Sequence, residues 1–136
     1  MVDIVITAAN VKLLSGHAQP FAAGEAITAG QVAYKDEATK KAKLSDNDDA
    51  TAAVRSALGI ALNGAATDQP VSLALNGAVI SLGAVLTAGT DYYLSGTPGG
   101  ICPRADVTTA DDPIRIGMAL TTSNLKIDIN DPDVTL

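Results

Sequence analysis

The chain says nearly the same thing twice. Gly24, Ile27, Thr28, Ala29, Gly30 and Tyr34 recur as Gly83, Leu86, Thr87, Ala88, Gly89 and Tyr93, so the phrase G-x-x-I/L-T-A-G-x-x-x-Y stands at two places with one internal spacing. A second phrase follows each copy at almost the same offset: Leu58-Gly59-Ile60-Ala61-Leu62 returns as Ile116-Gly117-Met118-Ala119-Leu120. Two phrases held in register imply an internal duplication, and so a fold made of two similar units. Neither phrase carries a catalytic side chain. Both are built of glycine, threonine and aliphatic residues, the materials of turns and strands.

Each copy opens on a turn, Ile27 to Gly30 or Leu86 to Gly89, in which glycine supplies positive φ before the chain enters a strand ending in tyrosine. A polar hairpin follows, Lys35 to Lys40 in one copy and Ser95 to Gly100 in the other. The LGIAL-type strands hold a glycine in mid-strand, where it marks a bulge, a bend or a close backbone approach. An alternating strand closes each copy: Val71, Leu73 and Leu75 face one way, as do Leu125, Ile127 and Ile129. Acidic residues before Ala50 to Ala57 suit the start of one short helix, whereas Pro113 argues against a helix over Val107 to Pro113. The expected fold is all-β, a small β-barrel or β-sandwich of two similar halves with at most one short helix. Residues 1–23 read as an N-terminal arm, and residues 24–136 as one domain whose duplicated parts cover 24–82 and 83–129. In the arm, Val2, Ile4 and Ile6 alternate with other residues at strand period, and Val11 to Leu14 form a second apolar run; such a terminal segment pairs either with its own sheet or with an exposed strand edge on a neighbour.

Composition narrows the function. A chain of 136 residues can bury a single core without staples. Nine basic against fifteen acidic residues give a net charge of −6, and with 3% aromatic residues the surface suits nucleic acid poorly. The one basic cluster, Lys35, Lys40, Lys41 and Lys43, is interleaved with Asp36 and Glu37 and reads as a solvated hairpin. Met1-Val2-Asp3 does not open like a secretory signal, and no segment has the length and apolarity to cross a bilayer, so synthesis in a reducing cytoplasm is expected. Cys102 stands alone beside Pro103 and reads as a small buried hydrophobe.

Catalytic and metal chemistry find little footing. His17, the single histidine, sits in Ser15-Gly16-His17-Ala18 with no partner at useful spacing. Asp46, Asp48 and Asp49 lack the glycine and the terminal glutamate of a calcium loop, and the tail group Asp128, Asn130, Asp131 and Asp133 reads as a solvated terminus. No phosphate loop or dinucleotide fingerprint appears. The expectation is a protein that is not an enzyme and uses no cofactor or metal.

The phrases Gly24-Glu25-Ala26-Ile27-Thr28-Ala29-Gly30 and Ala57-Leu58-Gly59-Ile60-Ala61-Leu62, followed by an alternating strand, resemble those of tailed-bacteriophage capsid decoration, or cement, proteins, over about residues 18–129. The resemblance implies a small β-barrel protein on the outside of an expanded icosahedral shell, made in the host bacterial cytoplasm. It implies a homotrimer that bridges major capsid protein subunits, with an N-terminal arm reaching them. The arm residues that would make those contacts are Val2, Ile4, Ile6, Val11, Leu13 and Leu14. Two other readings fit the same phrases. One is a tail, baseplate or fibre module. The other is a glycan- or small-molecule-binding barrel, disfavoured because only Phe21, Tyr34, Tyr92 and Tyr93 supply rings.

Overall fold

The computed structural model describes residues 3–48, 51–107 and 111–130. Among these residues eleven strands carry the fold: β1 (Lys12–Ser15), β2 (Ala18–Ala22), β3 (Val32–Asp36), β4 (Lys41–Leu44), β5 (Gly59–Ala61), β6 (Pro70–Ala74), β7 (Val79–Ser81), β8 (Asp91–Leu94), β9 (Ile101–Pro103), β10 (Arg115–Ala119) and β11 (Asn124–Asn130). The short helix expected after the acidic loop is α1 (Ala52–Arg55), and single 3-10 turns lie at Ala8–Asn10 and Arg104–Asp106.

The strands form two antiparallel sheets, one ordered β2-β6-β5-β3-β4 and the other β1-β7-β11-β10-β8-β9. Without β1 the second sheet traces the same path as the first, strand for strand. The duplication therefore reaches the topology. It reaches single hydrogen bonds as well: Gly30 N–H donates to Ala61 O at 2.8 Å and Gly89 N–H to Ala119 O at 2.8 Å, while Ala61 N–H donates to Gln31 O at 2.9 Å and Ala119 N–H to Thr90 O at 3.0 Å. Gly30 and Gly89 have φ of 95° and 79°, which explains why both T-A-G turns end in glycine. In the two hairpins the Asp36 carboxylate accepts from Ala38 N–H at 3.1 Å and the Ser95 hydroxyl from Thr97 N–H at 3.0 Å, the same turn built with different side chains.

The first half begins before its repeated phrase. β2 pairs with β6 from Ala18↔Ala74 to Ala22↔Pro70, so residues 18–22 of the arm segment form a strand of the first sheet. The edges of that sheet approach each other at a single Ala23–Ala42 bridge, where Gly24 N–H donates to Ala42 O at 2.7 Å. The bridge does not extend into a ladder. The barrel stays open and the architecture is a two-halved sandwich.

Two apolar clusters hold the layers. The smaller one, with Ala23, Ile27, Ala33, Ala42, Ala61, Val71 and Leu73, lies on one face of the first sheet. The larger one takes residues of the opposite face of that sheet, Val32, Ile60 and Ala74, and packs them with Ile80, Leu82, Leu94, Ile101, Ile116, Leu125 and Ile127 of the second half. The alternation in β6 and β11 sorts as its period requires: Val71 and Leu73, like Leu125 and Ile127, are buried. Buried Asn47 stitches the halves together, donating from Nδ2 to Leu94 O at 2.8 Å, while its backbone carbonyl accepts from Asp112 N–H at 3.0 Å.

Candidate partner-binding surface

The arm splits into two parts with opposite exposure. Of the six residues expected to contact a partner, Val2 lies outside the described residues. Ile4 and Ile6 are half-buried against the larger core and Val11 is buried in it, whereas Val5 between them is 82% exposed. Residues 3–6 lie across both halves like a strap. Ile4 N–H donates to Ile101 O at 2.9 Å, on edge strand β9, and Ser95 Oγ donates to the Asp3 carboxylate at 2.5 Å. Ile6 rests on Gly30 of the first half, where an added Cβ would stand 2.7 Å from its Cγ2, and a Cβ on Gly100 would stand 2.6 Å from Asp3 Oδ2. Two glycines thus make the seat. A groove of about 300 Å³ remains between the strap, the turn at residues 28–31 and the hairpin tip at 97–101.

After the exposed turn at Ala8–Asn10 the chain enters β1, which pairs with β7 through Lys12↔Ser81, Leu13↔Ile80 and Ser15↔Val79, with a register shift around Leu14. All four residues of β1 are exposed, Leu13 at 38% and Leu14 at 51%. β1 ends the six-stranded sheet, and among the described residues no strand lies on its other side. Such an edge presents main-chain donors and acceptors to a partner strand, while the bulge limits how long a flat ladder can grow on it. Of the six expected contact residues, Leu13 and Leu14 are the ones that the described structure leaves exposed.

A second exposed surface lies outside the arm. The strand row Val32–Ile60–Ala74 of the first half has its counterpart in Asp91–Met118–Lys126 of the second, which faces outward. Met118 and Leu120 are exposed there, flanked by Arg115, which pairs with Asp91 at 3.0 Å and Asp128 at 2.7 Å. Its signal was in the sequence, since aligning the two LGIAL-type phrases sets Ile60 against Met118 and the strands beside them set Val32 against Asp91.

The other singled-out residues have structural roles. His17 is an exposed turn residue between β1 and β2 whose carbonyl accepts from Leu75 N–H at 3.0 Å. Cys102 is buried, and burial, reinforced by the nearby Asp3, Asp106 and Asp111, pushes its thiol up to about 12, so the thiolate needed of a nucleophile is disfavoured. The lysine cluster is a solvated hairpin as expected: Lys40 pairs with Glu37 at 2.7 Å, Lys43 with Asp36 at 3.0 Å, and Lys41 with Asp68. Asp46 accepts from Asp48 N–H at 3.2 Å, and Asp128 is held by Arg115. Asp49, Asp131 and Asp133 lie outside the described residues. Among the described residues no group of three or more histidine, cysteine or carboxylate side chains is placed to hold a metal ion, and no helix is long and apolar enough to cross a membrane.

No family model matches the chain, and no curated protein matches it.

Proposed function

We propose that the chain is a non-enzymatic decoration protein of a tailed-phage head, which sits on the outer capsid surface and bridges major capsid subunits as a trimer. The observation that carries this reading is β1, an exposed edge strand bearing Leu13 and Leu14 at the end of a six-stranded sheet, on the segment where such proteins reach their shell. A strand edge gives affinity through main-chain hydrogen bonds, and exposed leucines add apolar burial. Each contact is small, but several engaged at once by one trimer multiply through effective concentration. Binding only the assembled shell then stabilises that state by mass action.

The test is co-sedimentation with empty head shells assembled from the major capsid protein encoded with this chain. The native protein is expected to pellet with shells. A Leu13→Lys, Leu14→Lys variant is expected to remain in the supernatant while keeping its circular dichroism and melting temperature. A native protein that never pellets with shells overturns the reading.

A further inference from the structure

The two parts of the arm differ in what a partner can reach. Leu13 and Leu14 on β1 are exposed already, whereas Ile4 and Ile6 point into the molecule and Val5 alone points out. If the whole arm contacts a shell, residues 3–6 must first leave their seat. We propose that residues 3–6 are a releasable strap, self-docked in the free protein and acting as a brake on partner binding, while β1 is the fixed part of the same surface. The inference rests on the decoration reading for its partner, but the docked strap itself stands on geometry.

The seat is specific. It offers the Ile101 carbonyl to Ile4 N–H, the Ser95 hydroxyl to the Asp3 carboxylate, and side-chain-free backbone at Gly30 and Gly100 where Ile6 and Asp3 approach. Gly89, the counterpart of Gly30 in the second half, has nothing within 4 Å of an added Cβ. The duplicated turn therefore provides a seat in one half only because the strap lies on it. The hold is also slight. Among the described residues, one backbone hydrogen bond, one side-chain hydrogen bond and two half-buried isoleucines secure these four, and the next turn, Ala8–Asn10, buries none of its side chains. Segments with so few buried contacts open far more easily than the core. A ligand that needs the open form binds with its affinity reduced by the fraction that is open. Sheet logic gives the docked form a use: strand β9 ends in Pro103, which lacks an N–H, and the strap occupies the carbonyl of Ile101 beside it, so this edge is masked until release.

A reversible lock tests this. Asp3→Cys and Ser95→Cys, made with Cys102→Ala to remove the native thiol, place one sulfur at the Ser95 hydroxyl and the other at the carboxyl carbon of Asp3, whose oxygen now stands 2.5 Å from that hydroxyl, so a small shift of the docked strap closes a disulfide. Oxidised, the strap is fixed; reduced, it is free and weakly held. The oxidised protein is expected to bind empty head shells at least tenfold more weakly than its own reduced form, and reduction is expected to restore binding. Equal binding of the two forms overturns the brake, with the fold controlled by the identical chain in both states. In the free native protein, the Ile4 amide is expected to exchange with deuterium at least tenfold more slowly than in a Ser95→Ala variant, and equal rates overturn the docked strap. Failure of every form, native included, to bind shells removes the decoration reading and the brake with it, while the exchange result still decides whether the strap is docked.

Discussion

Ile60 and Met118 occupy the same place in the two halves, yet Ile60 is 0% exposed and Met118 36%. Each sits in the middle of a three-strand row, Val32–Ile60–Ala74 in one half and Asp91–Met118–Lys126 in the other. The first row is the floor on which the second half packs. The second row, rimmed by Arg115 and Asp128, ends the stack. A duplicated unit that buries one face against its neighbour must make the terminal copy of that face polar, as the capping units of repeat proteins do.

Truncating the two residues should therefore give unequal results. Ile60→Ala is expected to cost about 2–5 kcal/mol, the range for deleting a buried aliphatic side chain in a packed core. Met118→Ala, on an open face, is expected to stay within about 0.5–1 kcal/mol. Urea unfolding of the two variants checks this, and equal losses would mean that the second row is covered in solution.

The mid-strand glycines answer to a different constraint. A Cβ on Gly59 would run into the carbonyl oxygen of Ala74, and one on Gly117 into that of Lys126, so the neighbouring strand itself excludes a side chain. Gly59→Ala and Gly117→Ala are each expected to destabilise by about 1–3 kcal/mol or more, because the obstacle is backbone and cannot swing away. Gly89→Ala meets no neighbour and bears only the cost of its positive φ, so its melting temperature is expected to fall less.

These positions also show what was legible in the sequence. The duplication was, because turns needing positive φ and strands in close approach both demand glycine at fixed places, and Gly30, Gly89, Gly59 and Gly117 kept those demands visible. The closing strands and the short helix were legible from period and composition. The choice between barrel and sandwich was not, since it turns on whether one bridge, Ala23–Ala42, grows into a ladder. The N-terminal alternation predicts a strand, yet residues 3–6 make a single main-chain bond to β9 and β1 begins only at Lys12. Period 2 reports that alternate residues face apolar surroundings, and a strap lying on a core satisfies it as well as a sheet does. The split of the arm into inward Ile4, Ile6 and Val11 and outward Leu13 and Leu14 depends on long-range packing and leaves no local signature.

The β3–β4 hairpin should carry a pH signature. The hydrogen bond from Lys43 holds the Asp36 carboxyl below its ordinary value, Lys40 does the same for Glu37, and Asp36 raises Lys43. A lowered carboxylate contributes stability above its ordinary pKa and loses it as pH falls through the lowered value. A raised lysine contributes below its ordinary pKa and loses it as pH rises through the raised one. Stability from this hairpin is therefore expected to hold between roughly pH 5 and 10 and to fall at both ends. Glu37 and Lys40 are exposed, and Asp36 and Lys43 are half-buried at the surface, so the effect is small and screened by salt. Asp36→Asn should flatten the alkaline limb and weaken the acid one, where Glu37 still contributes, in a urea series across pH, and unchanged limbs would remove the Asp36–Lys43 pair as their source.

Cys102 offers a probe of global opening. With its thiol pushed up to about 12 by burial and neighbouring carboxylates, it is expected to resist a thiol reagent at pH 8 in the folded protein and to react at once in urea. The unfolded thiol titrates near 9.0, so between there and about 12 the folded state holds the proton that the unfolded state has lost, and stability is expected to fall as pH rises across that window. Rapid labelling without denaturant would show that β9 opens locally.

The junction between the halves sets how they unfold. Asn47 is buried, its amide donates to Leu94 O at 2.8 Å, its N–H donates to Ser95 O at 3.2 Å, and Arg55 beside it on α1 pairs with Asp112 at 2.5 Å. Asn47→Ala leaves the Leu94 carbonyl without its donor in a dry place and is expected to cost about 1–3 kcal/mol. Asn47→Asp should cost more, since it removes the same donor and buries a negative charge in a site closed to water. Both variants should still unfold in one transition, because the larger apolar cluster joins Val32 and Ile60 of one half to Ile80 and Leu125 of the other, and neither half can open without exposing it. Two resolved transitions by calorimetry would show that the polar stitch, and not the shared core, makes the halves cooperate.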